Sequence, residues 1–252
     1  LLIAVSGGAF AVALALAFQT RPPQPTPALI ERSDPKAVVE SAGGQTVRLT
    51  GDKEDLRIEF DRLLTYPDGS TRMRGITVTT KRDSGRVFTI HGDLGQVDEH
   101  ESEISLEGEV KFSVDDGLTV TTSRASYNKQ DGILNAPGPA EFSRGRLRGS
   151  GVGLRYDERQ DVLTLLEQAV VRLAAGDGEQ GLHVTSGSAE FRRPDHLLRF
   201  DRPFHAVRES TTMDADQATA RLDAEDDRLQ ATELRGKARI GEALRRTGGV
   251  EQ

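Results

Sequence analysis

The chain has 252 residues, of which 36% are apolar, 29% charged and 5% aromatic, with no Trp, no Cys and a net charge of −7. This composition excludes collagen and a polytopic membrane protein, and the acidic balance gives no general pull toward nucleic acid. Without Cys there can be no disulfide, cysteine-based zinc site, iron–sulfur cluster or thiol catalysis.

The first predicted element is Leu1–Phe18, LLIAVSGGAFAVALALAF, which carries no charge. About 18 apolar residues lie near the lower limit for crossing a bilayer, so the expectation is a retained transmembrane anchor. The alternatives are a buried core helix and a cleaved signal peptide with Ala15-Leu16-Ala17 as its small-x-small site. Gln19–Pro27 (QTRPPQPTP) cannot continue a helix and suits a stiff linker. That linker, 19–45, has room for one short helix within 28–42, capped at Asp34-Pro35 with Val38 and Val39 on its apolar face. Either membrane reading places the remainder outside the cytoplasm.

From about residue 46 to 240, runs such as LTVTT (118–122) and LHVTS (182–186) alternate with Asp/Gly turn clusters, the punctuation of β-strands. Aligned, they form a repeat. Leu118, Tyr127 and Leu134 are spaced nine and then seven residues apart. The same steps relate Leu147, Tyr156 and Leu163; Leu182, Phe191 and Leu198; Met213, Leu222 and Leu229; and Phe88, Val97 and Ile104. The seven-residue step predicts a hairpin in which the two apolar residues pair across a polar four-residue connection, as in Lys129–Gly132, Glu158–Asp161 and Arg193–His196. The nine-residue step is odd, so its two ends share a face only if the strand bends or bulges between them. Stacked bent hairpins make an all-β fold, an elongated antiparallel jellyroll folded over a narrow apolar interior, with 241–252 as a tail. Its interior is expected to be lined by Val97, Ile104, Leu118, Val120, Tyr127, Leu134, Tyr156, Leu163, Phe191 and Leu198.

No catalytic or metal-binding residue can be nominated, and no cofactor is expected. The His residues lack ligand spacing, and His100 sits in an acidic run that reads as a solvated hairpin tip. Gly149–Gly153 lacks the Lys-Ser/Thr of a phosphate loop and leads into a strand. Arg144, Arg146 and Arg148 form a local basic stretch, read either as ordinary surface charge or as a contact for lipid phosphate.

The segment 106–163, with LTVTTSRASY followed by a second Leu147-x-Gly…Tyr156-Asp157…Leu163 copy, resembles the OstA/LptA/LptC superfamily of lipopolysaccharide transport, and the apolar start makes it most similar to LptC. The resemblance implies a β-jellyroll with no enzymatic activity, in the inner membrane with its bulk in the periplasm. It implies receipt of lipopolysaccharide from an inner-membrane ABC transporter and delivery to a periplasmic bridge protein joined by edge-strand β-augmentation. Two readings compete with it: the soluble LptA-like bridge itself, and a structural or adhesive β-repeat with a packed core and no cargo.

Overall fold

The computed structural model describes residues 34–50, 53–81, 85–97, 103–176, 180–225 and 228–242. The chain divides into two units, 1–35 and 36–252, and only Asp34 and Pro35 of the first are described. The anticipated anchor, Leu1–Phe18, lies outside the described residues. Among those described, no helix is long and apolar enough to cross a membrane.

The second unit is built of strands joined in series. They are β1 (Val39–Thr50), β2 (Lys53–Thr65), β3 (Thr71–Lys81), β4 (Val87–Val97), β5 (Glu103–Val114), β6 (Thr119–Asn128), β7 (Ile133–Arg144) and β8 (Leu147–Asp157). There follow β9 (Val162–Leu173), β10 (Leu182–Arg192), β11 (Leu197–Arg208), β12 (Thr211–Ala215), β13 (Gln217–Leu222), β14 (Leu229–Arg235) and β15 (Arg239–Glu242). Each strand from β1 to β11 is antiparallel to the next, and after β11 the sheet forks into β12–β15 and β13–β14.

The expected helix within 28–42 does not form in its described part. Asp34-Pro35 opens a turn, and Val39 already begins β1. Val38 and Val39 are exposed, so no apolar helical face is buried there. Pairing with β2 holds this stretch extended instead, Val39 opposite Thr65 and Ala42 opposite Arg62, and Gly44 pairs with Phe60, whose ring lies over the space a side chain would fill.

The hairpin register predicted by the seven-residue step is found throughout. Tyr127 pairs with Leu134, Tyr156 with Leu163, Phe191 with Leu198, Val97 with Ile104 and Leu222 with Leu229. The connections Lys129–Gly132, Glu158–Asp161 and Arg193–His196 are the loops; 98–102 and 226–227 lie outside the described residues. Gly132, Asp161 and His196 hold the same last place in their loops, with φ of +69°, +55° and +51°. Asp tolerates that left-handed conformation better than most side chains, and Asp157 opens its loop by accepting the Arg159 and Gln160 amides.

The nine-residue step has the physical cause expected of it. In β6 the buried positions are even up to Val120 and odd from Ala125, and the pairing with β7 slips between Thr122 and Ser126. β8 and β10 change phase in the same way, with slips at Ser150/Val152 and Ser186/Ser188. At the bend of β5, Gly108 has φ +96° and lies against the Asp93 side chain, whose Oδ2 accepts the Glu109 amide at 2.9 Å.

These bends double the sheet on itself. Phe112 on β5 and Tyr156 on β8 have ring centroids 5.1 Å apart. In a flat sheet three strand spacings would separate them by about 14 Å. Phe142 on β7 and Phe191 on β10 meet the same way at 6.4 Å.

Candidate functional site

Two apolar walls face each other inside the doubled sheet. The second halves of β6, β8 and β10, with the first halves of the strands that follow them, carry one wall. Its side chains form an unbroken cross-strand row: Val97, Ile104, Tyr127, Leu134, Tyr156, Leu163, Phe191 and Leu198, each paired with the next. All are buried except Val97, which is partly buried against the core. Leu118 and Val120, also anticipated inside, are buried on the opposite wall.

Most of that opposite wall escaped the sequence reading. Its row runs Ile90, Phe112, Val120, Phe142, Gly149, Val171, Val184 and Ala206. Gly149 belongs because the Phe142 ring occupies the space its side chain would need. A signal existed in the apolar residues flanking the other set of turns, such as Phe112 and Val120 around Asp115-Asp116-Gly117.

At the level of β4, β5 and β8 the interior is filled. Phe88, Phe112 and Tyr156 pack as a triad with centroids 5.1 to 6.3 Å apart, and Tyr156 is 0% exposed. An acyl chain can lie between the walls at this level only if they part. A surface groove of about 790 Å³ lies instead on the outer side, against exposed Lys111, Thr121 and Glu141.

The free margins of the two walls meet along a polar seam. Lys129 Nζ donates to Asp55 at 2.9 Å, Thr80 Oγ1 to Glu158 at 3.3 Å and Tyr127 Oη to Glu158 at 2.8 Å. Arg86 donates to Asp161 at 2.7 Å and to Asp116 at 2.6 Å. Arg193 donates to Asp116, and its Nη1 lies 3.0 Å from Asp161. Tyr156 Oη donates to Asp161 at 2.8 Å, which joins the interior to the seam. The links Asp55–Lys129, Thr80–Glu158, Arg86–Asp161 and Asp116–Arg193 span 74, 78, 75 and 77 residues, so the two lips meet at a nearly constant offset along the chain.

Burial pushes the Tyr156 hydroxyl far above its ordinary range, and Asp161 adds to this, so the phenol stays protonated and donates. Burial also tends to raise the Asp116 carboxyl, but its bond to Arg193, with the Leu118 amide and Arg86, holds it below the usual range. The seam stabilisation from Asp116 is therefore complete above the ordinary carboxylate range and is lost as pH falls through the lowered value. Thermal melting between pH 7 and pH 3 should show a fall in midpoint that Asp116→Asn reduces; an equal fall in the variant would remove Asp116 from this role.

Arg144, Arg146 and Arg148 do not converge on one contact. Arg144 joins the seam charges, where burial and the Arg193 charge lower its pKa against the pull of Asp116 and Asp161. Arg146 donates to the Ala174 carbonyl at 3.0 Å. Arg148 is exposed and paired with Arg172.

The molecule is thus a serial antiparallel jellyroll: two apolar walls closed face to face and fastened at one margin. The family model for lipopolysaccharide-assembly, LptC-related proteins matches residues 3–174, and the chain belongs to that family. The match ends just past β9, so β10–β15 lie beyond it. Among solved structures, the chain is similar to LptH of Pseudomonas aeruginosa, described as the LptA-homologous periplasmic component of the lipopolysaccharide transport device. Identity is 12% and the TM-score 0.43, over 50% of this chain and 95% of that one. No curated protein matches the chain.

Proposed function

We propose that this chain carries lipopolysaccharide, with its acyl chains between the two walls and its headgroup at the seam. Leu1–Phe18 anchors it in the inner membrane, the ABC transporter supplies the lipid, and a periplasmic bridge protein receives it. The observation that carries this reading is the pair of unbroken apolar rows crossing the strands from β4 to β11 in an LptC-related chain. Acyl chains moved from water to such a surface gain about 0.8 kcal/mol per CH₂, so the cargo would pass to a like surface rather than leave into water. Among the described residues β1 pairs with β2 alone, and its other edge is the place for strand addition.

The filled interior favours a second reading, a structural β-repeat without cargo. A photo-crosslinker distinguishes them. At Tyr127 or Phe191, in cells with active transport, it should capture lipopolysaccharide. Lys129 and Arg159 lie in the hairpin loops of the seam, and Lys129 is tied to Asp55, so neither serves as an outward control. Exposed Arg155 is the proper control and should capture none. Equal capture at inward and outward sites, or none inside, would favour the cargo-free repeat.

A further inference from the structure

Among the described residues, three arginines and two carboxylates gather at the centre of the seam. Arg86, Arg144 and Arg193 bring three guanidiniums, Asp116 and Asp161 bring two carboxylates, and all five act on one another. Beside them Glu158 accepts from Thr80 and Tyr127, and Lys129 donates to Asp55. As a seal this is poor design, because an apolar contact would avoid the cost of desolvating charge. The same arrangement suits a phosphate monoester, which carries about −1.5 to −2 charge near neutral pH and offers three acceptor oxygens to guanidinium groups.

The position is also right. Tyr156 lines the interior with its ring and reaches Asp161 with its hydroxyl, so the cluster stands where a lipid held between the walls would emerge. Access is graded. The Arg86 and Asp116 side chains are 27% and 28% exposed, and Arg193 is 5% exposed. A phosphate arriving from solvent meets Arg86 first and Arg193 last.

We propose that Arg86, Arg144 and Arg193 form a docking site for the phosphate of an acylated headgroup, which takes Arg86 and Arg193 from Asp116 and Asp161 and so releases the lips. This rests on the lipid-carrier reading and adds to it a trigger: cargo is admitted when its own phosphate breaks the seam. The released carboxylates turn to water, and the phosphate remains at the rim with the chains inside.

Spin labels test this in the full chain, which has no Cys to compete. Asp115→Cys and Gln160→Cys place labels at exposed positions on opposite lips. The probes are a phosphorylated acylated disaccharide, its dephosphorylated form and inorganic phosphate. The phosphorylated lipid should widen the label distance at about tenfold lower concentration than the dephosphorylated form, the difference expected of one charge-assisted contact. Arg144→Gln should erase that difference and Arg144→Lys retain part of it. The Asp116→Asn, Asp161→Asn pair should stand open without lipid, and its remaining shut would overturn the trigger. Equal response to both lipids would also overturn it while leaving the carrier reading intact, whereas binding of neither lipid would overturn the carrier reading itself. Opening by inorganic phosphate at the same concentration would make the site one for free phosphate and refute the headgroup assignment.

Discussion

Tethering the lips should abolish lipid loading. A chain carrying Asp115→Cys and Gln160→Cys, joined by a short bifunctional reagent, should load at least tenfold less lipid than the same chain left unjoined. The reason is volume. The Phe88, Phe112 and Tyr156 rings fill the space between the walls, and interiors packed at this density do not admit a chain without displacement. The bends at the opposite margin are continuous backbone, so the seam is the margin that can open. Loading measured by co-purified lipid, before and after cleavage of a reducible tether, gives the answer in one sample. Unchanged loading in the tethered chain would mean that lipid occupies some other surface.

Tyr156 should be the most sensitive single position for stability. Its ring touches Phe88 and Phe112 across the interior, and its hydroxyl holds Asp161 on the lip. Tyr156→Ala removes both and should cost about 3–5 kcal/mol, the range for deleting a buried aromatic ring. In a domain of this size that lowers the melting midpoint by about 10 °C. Tyr156→Phe keeps the ring and loses one hydrogen bond, and it leaves Asp161 with its arginine partners. Its cost should be about 1 kcal/mol. Equal losses in the two variants would place the stabilisation in the seam instead of the aromatic packing.

The hairpins were legible in the sequence because their determinants are local. A four-residue loop flanked by one further residue on each side spaces the apolar partners seven apart and fixes the register, and the apolar pair reports which face is inward. The odd step between Leu118 and Tyr127 was legible as a bend for the same reason, since a period of two leaves no other way to bury both. The short helix does not form because an Asp-Pro cap is a local signal, and pairing of Val39–Ala42 with the distant β2 overrides it. Most of the second wall was not legible. Gly149 carries no hydrophobic signal of its own, and only the Phe142 ring above it makes it part of the interior. The seam was not legible at all. Arg86 and Asp161, or Asp116 and Arg193, stand 75 and 77 residues apart, and only the doubling of the sheet brings them together.

Neighbouring residues on β9 give the most direct measurement of where the cargo lies. Val171 faces inward and is buried, and Val170 beside it faces the outer side. In a complex with acyl-protonated lipid and methyl-labelled protein, nuclear Overhauser contacts should run from the acyl chain to Leu134 and Leu163 on one wall and to Val171 and Val184 on the other. Val170 should show none. Acyl contacts confined to Val170 and other outer-face methyls, with the inward methyls silent, would contradict the carrier interior.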